Sequence, residues 1–157
     1  GFLSTPTEEL LENVDRSIEA GIGGIKIKVG QPDGREDMKR LEAVHKRIDG
    51  RVPLMVDANQ QWDRAAAMRM GRNMESFGLV WIEEPLDAYD AEGHAALALA
   101  LDTPIASGEM LASAGEHLDL IRLGAVDIIQ PDAPRVGEIR SLRAAMRVMQ
   151  FGLKVSF

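Results

Sequence analysis

The sequence predicts an α/β fold, a parallel (β/α) barrel of the TIM type that is incomplete at this length. Three observations carry that expectation. Segments of strand character alternate with amphipathic stretches of helical length along all 157 residues, the pattern of βα units joined by right-handed crossovers. Four of the strand segments close on an acidic residue: Asp57, Glu83, Glu109 and Asp132, spaced 26, 26 and 23 positions apart. One strand, one helix and two short loops consume about that much chain. A complete eight-stranded barrel takes roughly 250 residues, and about 200 at minimum, so residues 1–157 read as one partial barrel domain.

The elements follow in order. Thr5 offers a helix cap, Pro6 suits the first helical position and Glu8 stands three after the cap. The helix places Leu10, Leu11, Val14 and Ile18 on one face and stops at Gly21. A short strand occupies 24–30, bounded by glycines. Helices are then expected over 35–49, 63–77, 90–101, 114–123 and 137–151, alternating with strands over 53–58, 79–83, 104–107 and 126–130 and a last one from Leu153. That makes six strands, beginning on a helix and stopping on a strand, with no linker, low-complexity tract or second domain in between.

Composition narrows the function classes. The chain has no cysteine, which excludes a disulfide framework or thiolate metal site, and a net charge of −7. No apolar run reaches the ~18 residues of a membrane span, and no basic-then-apolar leader opens the sequence. The acidic balance, with no Lys/Arg stripe interleaved with aromatics, argues against nucleic acid and anionic membranes as partners. A cytoplasmic enzyme acting on a small molecule is the expectation.

A parallel barrel gathers the carboxyl ends of its strands at one mouth, where active sites of this architecture lie. Carboxylates gathered there repel one another and call for a cation. Lys26 and Lys28 flank Ile27, so in a strand they share one face. Two readings stand: solvated lysines that block an exposed edge, or an inward pair aimed at the carboxylates. In the second, like charge and partial desolvation would lower a lysine pKa towards the range of a general base. Glu84 adjoins Glu83 and is expected on the opposite face. Met68, Met70, Met74, Met146 and Met149 suit adaptable packing on helices. Gly21, Gly23 and Gly24 precede their strand, so they do not form a phosphate loop.

Five segments together resemble the enolase superfamily, and within it the mandelate racemase subgroup: Lys26-Ile27-Lys28, Val56-Asp57-Ala58-Asn59, Trp81-Ile82-Glu83-Glu84-Pro85, Gly108-Glu109 and Gln130-Pro131-Asp132-Ala133. The stretch from Val52 to Met110 resembles the acid-sugar dehydratases, of the galactarate/talarate type. The resemblance implies a small capping domain, not present in these residues, joined to a modified barrel. It implies that Asp57, Glu83 and Glu109 hold one Mg²⁺, that Lys28 abstracts the proton α to a substrate carboxylate, and that Lys26 contacts that carboxylate and lowers the Lys28 pKa. It makes Asn59 a residue that touches substrate or backs the metal ligands. Asp132 would orient a histidine on the next strand, which by the family's spacing falls one or two residues past Phe157. His45, His94 and His117 lie on expected helices and are read as packing or solvent-facing groups. Gly137-Glu138 departs from the paired glycines common at that point.

The implied function is a Mg²⁺-dependent lyase that dehydrates an acid sugar through a metal-stabilised enediolate, with a homo-oligomeric parent protein. A racemase or epimerase of the same superfamily is the alternative outcome of that chemistry. The other alternative is a metal-binding barrel fragment without activity, since an open barrel lacking the histidine and the cap is expected to associate or stay partly molten.

Overall fold

Five parallel strands lie side by side in sequence order, β1 (Ile25–Lys28), β2 (Leu54–Asp57), β3 (Ile82–Glu83), β4 (Ile105–Ser107) and β5 (Ile128–Ile129), in a computed structural model that describes residues 3–136. Six helices alternate with them: α1 (Thr7–Glu19), α2 (Gly34–Ile48), α3 (Arg64–Met74), α4 (Ala91–Ala100), α5 (Ala114–Arg122) and α6 (Ala133–Val136). A strand order that never jumps is the arc of a singly wound barrel, because right-handed crossovers then leave every helix on the same side. The helix expected over 137–151 and the strand expected from Leu153 lie outside the described residues. No helix among the described residues is long and apolar enough to cross a membrane.

Register decides which side chains face which layer. Val56 pairs with Ile27 and Ile82, and Ile82 with Ile105. All four are buried in one cluster with Leu41, Val44, Met70 and Leu97 of the helices. Side chains alternate along a strand, so the next row, Lys28, Asp57, Glu83 and Ala106, turns the other way. Burying one such Ile or Leu stabilises the fold by about 1.5–3 kcal/mol, and a one-residue slip would exchange the two rows. Hydrophobic burial therefore places the charged row.

Helix ends explain several boundaries. Asp33 caps α2 by accepting from the Arg35 amide, Asp63 caps α3, Asp90 caps α4, and Ser113 with Glu116 forms a reciprocal capping box on α5. At α1 the expectation differs from the structure. Pro6 occupies the capping position and no side chain caps the helix, which begins at Thr7. The helix expected to reach residue 77 is regular only to Met74, then tightens into a 3₁₀ turn, Glu75–Phe77, ended by left-handed Gly78. The strands are shorter than expected, with β3 and β5 reduced to two residues each.

The end of β1 is tied to α2. Fully buried Asp37 accepts from the amides of Gly30 and Gln31, at 2.7 and 2.8 Å. Burial pushes its carboxyl up despite those two amides. Arg40 Nη1 donates to the carbonyls of Leu3 and Lys28. Gly30 itself has φ +110°, and a Cβ there would stand 2.7 Å from Gln61 Cβ and 3.0 Å from the Ala58 carbonyl. In the full-length protein carrying this chain, Gly30→Ala should cost about 1–3 kcal/mol from backbone strain, read as a lowered melting midpoint. An unchanged midpoint would refute the close approach of the two loops.

His94 on α4 is fully buried, with Nδ1 2.9 Å from the Asp90 carbonyl and Nε2 without a partner among the described residues. Burial pushes the imidazole down, against the opposing pull of Asp90 and Asp87. Its folded pKa lies below the unfolded value of about 6.5, so its stability contribution is complete above that pH and lost as pH falls towards the folded value. Unfolding free energy measured from about pH 7.5 to about pH 5 should fall, and His94→Gln should flatten that slope.

Candidate active site

The two lysines of β1 reach the carboxylates of the neighbouring strands. Lys28 Nζ donates to Asp57 Oδ2 at 2.5 Å, Lys26 Nζ to Glu83 Oε1 at 2.5 Å, and Lys26 lies 3.5 Å from Asp57 Oδ2. The Asp57 and Glu83 side chains are only 2% exposed, against 38% for Lys26 and 32% for Lys28. Of the two readings of the lysine pair, this arrangement is the inward one. The remaining carboxylate oxygens also have donors: Asp57 Oδ1 takes the Asn59 amide at 2.9 Å, and Glu83 Oε2 takes Trp81 Nε1 at 3.0 Å and Gln130 Nε2 at 3.1 Å.

The lysine chemistry departs from expectation. Burial pulls Lys26 down, but the hydrogen bond and charge of Glu83, joined by Asp57, outweigh it and hold Lys26 above the ordinary lysine range. The nearest charges are opposite in sign, so pairing outweighs the burial that disfavours the ammonium.

Glu109 follows Gly108 in the β4–α5 loop, half-buried. Among the described residues no three His, Cys, Asp or Glu side chains approach closely enough to hold a metal. The expected convergence of Asp57, Glu83 and Glu109 is thus incomplete. Asp57 and Glu83 are register neighbours that share the Lys26 ammonium, while Glu109 lies on the β4–α5 loop. The donor set nevertheless suits a hard divalent cation in kind. The charges of Asp57, Glu83 and Glu109 all act on Glu84, with two ammonium groups beside Asp57 and Glu83.

Glu84 corrects a strict alternation. The strand ends at Glu83, Pro85 prevents its continuation, and Glu84 takes φ +41°. Its carboxyl, 1% exposed, is pushed up to about 7 by burial first, with Gln60 opposing and the charges of Glu109, Asp57 and Glu83 adding. Gln60 Nε2 lies 3.3 Å from both Glu84 oxygens while Gln60 Oε1 accepts the Ala88 amide at 3.1 Å. Asn59 and Gln60 are left-handed as well, so β2 also ends earlier than expected, and it is the Asn59 backbone that serves Asp57.

Asp132 stands at the turn into α6, 40% exposed and 3.4 Å from Arg135 Nε. His45 is exposed with its ring edge-on to Phe77, whereas His94 and His117 are fully buried. Trp81 and Gln130, which both hold Glu83, were not singled out from sequence. Trp81 lies two positions before Glu83 and so shares its face; Gln130 opens the segment that carries Asp132. Asp37, Arg40, Gln60 and His117 carried no local signal, because each acts through partners distant in sequence or through loop backbone.

The chain is similar to several known proteins. The chain is 66% identical over 139 residues to L-talarate/galactarate dehydratase of Salmonella typhimurium, a match covering 88% of this chain and 35% of that protein. It is 38% identical over 129 residues to N-succinylamino acid racemase of an Amycolatopsis species, covering 82% of this chain and 34% of that one. The crystal structure of L-talarate dehydratase from Polaromonas sp. JS666, complexed with Mg and L-glucarate, superposes with a TM-score of 0.92 at 62% identity, covering 96% of this chain and 42% of that chain. The chain therefore spans about a third of the length of the curated relatives it matches. The profile of the family described as "Enolase C-terminal domain-like" matches residues 9–157, and the chain belongs to that family.

Proposed function

We propose that residues 1–157 form part of the barrel domain of a Mg²⁺-dependent acid-sugar dehydratase of the galactarate/talarate type. The observation that carries this reading is the row Lys28–Asp57–Glu83, three register neighbours that place an amine beside two carboxylates at the carboxyl ends of β1 to β3. The 66% identity to L-talarate/galactarate dehydratase supports the substrate class.

Asp57, Glu83 and Glu109 are the residues that would hold Mg²⁺. Bound there, the cation supplies electrophilic stabilisation of the negative charge that grows on the substrate carboxylate as its α-proton leaves. The chain's own groups do the rest. Once Asp57 is engaged elsewhere, Lys28 loses the partner that favours its ammonium, gives a proton up to solvent and, as the neutral amine, accepts the α-proton. Lys26, freed from Glu83 in the same way, offers its ammonium to the substrate carboxylate. Trp81 and Gln130 keep the Glu83 carboxylate oriented through Oε2. The β-hydroxyl then leaves as water with the proton that Lys28 took up, which completes the dehydration and returns Lys28 to the neutral amine. Asp132 is read as the carboxylate that orients an acid/base histidine on the following strand.

A racemase or epimerase is the second reading, favoured by the 38% identity to an N-succinylamino acid racemase. Acid sugars incubated with the full-length protein and Mg²⁺ separate the two. Formation of a keto-deoxy product supports dehydration; inversion at the α-carbon with no loss of water supports the second reading and refutes the first.

Glu83→Gln keeps the side chain's shape but removes one of the charges that compensate the cation. Mg²⁺ affinity measured by titration calorimetry should fall by more than the ~10–100-fold that loss of a ligand-orienting partner costs. Undiminished binding would refute the ligand role. Lys28→Ala should leave metal and substrate binding in place, lower kcat by about 10²–10⁴ and abolish exchange of the substrate α-proton with deuterium, followed by NMR. Persisting exchange at the parent rate would assign the base elsewhere.

A further inference from the structure

We infer that His117 is a positioning residue for Glu109, clamping the loop that carries this carboxylate by donating from its ring Nε2 to the Gly108 carbonyl. The inference rests on the reading of Glu109 as a Mg²⁺ ligand. His117 lies in α5 and is fully buried. Its Nδ1 stands 2.7 Å from the Ser113 carbonyl and its Nε2 stands 3.0 Å from the Gly108 carbonyl. A backbone carbonyl oxygen only accepts, so the ring holds the Gly108 carbonyl through a proton on Nε2.

The loop explains why such a clamp is placed here. β4 ends at Ser107, and Gly108 turns the chain with φ +129°, a conformation that L side chains rarely adopt. A Cβ at Gly108 would meet Ile129 Cδ1 at 3.2 Å and His117 Cδ2 at 3.3 Å, so the ring is packed directly against that residue. The Gly108 carbonyl receives the His117 ring on one side and the Leu111 amide, at 3.2 Å, on the other. Glu109 lies inside that turn, its peptide nitrogen attached to the clamped carbonyl. Glu116 adds a negative charge on the same helix. Its carboxyl is held below the ordinary range by Ser113 first, then by the Ala112 and Ser113 amides and the charge of His117. His117 thus joins the capped start of α5 to the one proposed ligand that is not on a strand.

Two measurements on the full-length protein test this. With ¹⁵N-labelled histidine, the His117 ring should show a proton bound to Nε2 in the metal-free protein; a bare Nε2 would overturn the clamp. Calorimetry with Mg²⁺ then separates positioning from mere folding. The Asn amide falls where Nδ1 stands and serves Ser113 only, so His117→Asn should weaken Mg²⁺ binding about tenfold or more. The Gln amide falls where Nε2 stands and reaches Gly108, so His117→Gln should restore affinity to within about threefold of the parent, as partial retention of the ligand-orienting bond implies. Unchanged affinity in His117→Asn, or equal weakening in both variants, would overturn the inference. Glu109→Gln is the control. If it leaves Mg²⁺ affinity unchanged, the ligand reading of Glu109 fails and this inference with it; if it weakens binding while His117→Asn does not, only the inference about His117 fails.

Discussion

The register between β1, β2 and β3 is the constraint on which the rest depends. Ile27, Val56, Ile82 and Ile105 are held between sheet and helices by the hydrophobic effect. Because strand side chains alternate, that burial presents Lys28, Asp57 and Glu83 together on the other face. Polar groups that would be costly to bury singly are thereby delivered as neighbours, and each satisfies another. The apolar row supplies the energy and the polar row the chemistry, and neither can move without the other.

Charge balance follows from that placement. Asp57 and Glu83, nearly sealed from solvent, are compensated by Lys26 and Lys28, whose longer side chains keep about a third of their surface in water. Ion pairs of this kind cost dearly when one partner is removed, because the other is left buried and unpaired. On the proposed reading, a divalent cation would offer the carboxylates a replacement partner and free both ammonium groups. The same carboxylates can therefore serve as counter-ions for lysine or, on the proposed reading, as ligands for a metal, and the Glu84 carboxyl beside them is raised by burial first, with the charges of Glu109, Asp57 and Glu83 adding.

Loop backbone sets the remaining geometry. Asn59, Gln60, Glu84 and Gly108 all leave their strands with positive φ, a conformation costing ordinary residues about 1–3 kcal/mol that persists only where surroundings enforce it. The enforcing contacts are visible: Asp37 on the Gly30 and Gln31 amides, Gln60 between Glu84 and Ala88, and His117 on the Gly108 carbonyl. Side chains on helices thus hold the turns just past β1 and β4, where the acidic and basic groups emerge.

Much of this was legible in the sequence. The spacing of Asp57, Glu83 and Glu109 follows from the length of a βα unit, and the shared face of Lys26 and Lys28 from the two-residue period of a strand; both are local rules that tertiary packing did not override. The partners of those residues were not legible. Whether Lys26 meets another lysine or a carboxylate depends on the register between strands about 30 and 60 residues apart along the chain, and opposite charge won. Glu84 escaped the alternation rule because the strand stops one residue before it. His117 and Asp37 read as ordinary helix residues, since what they hold is loop backbone that only folding brings to them. Sequence by itself determined the order of elements and which residues carry charge to the strand ends. The tertiary structure decided which charges pair, because pairing is fixed by distances between strands that no local pattern encodes.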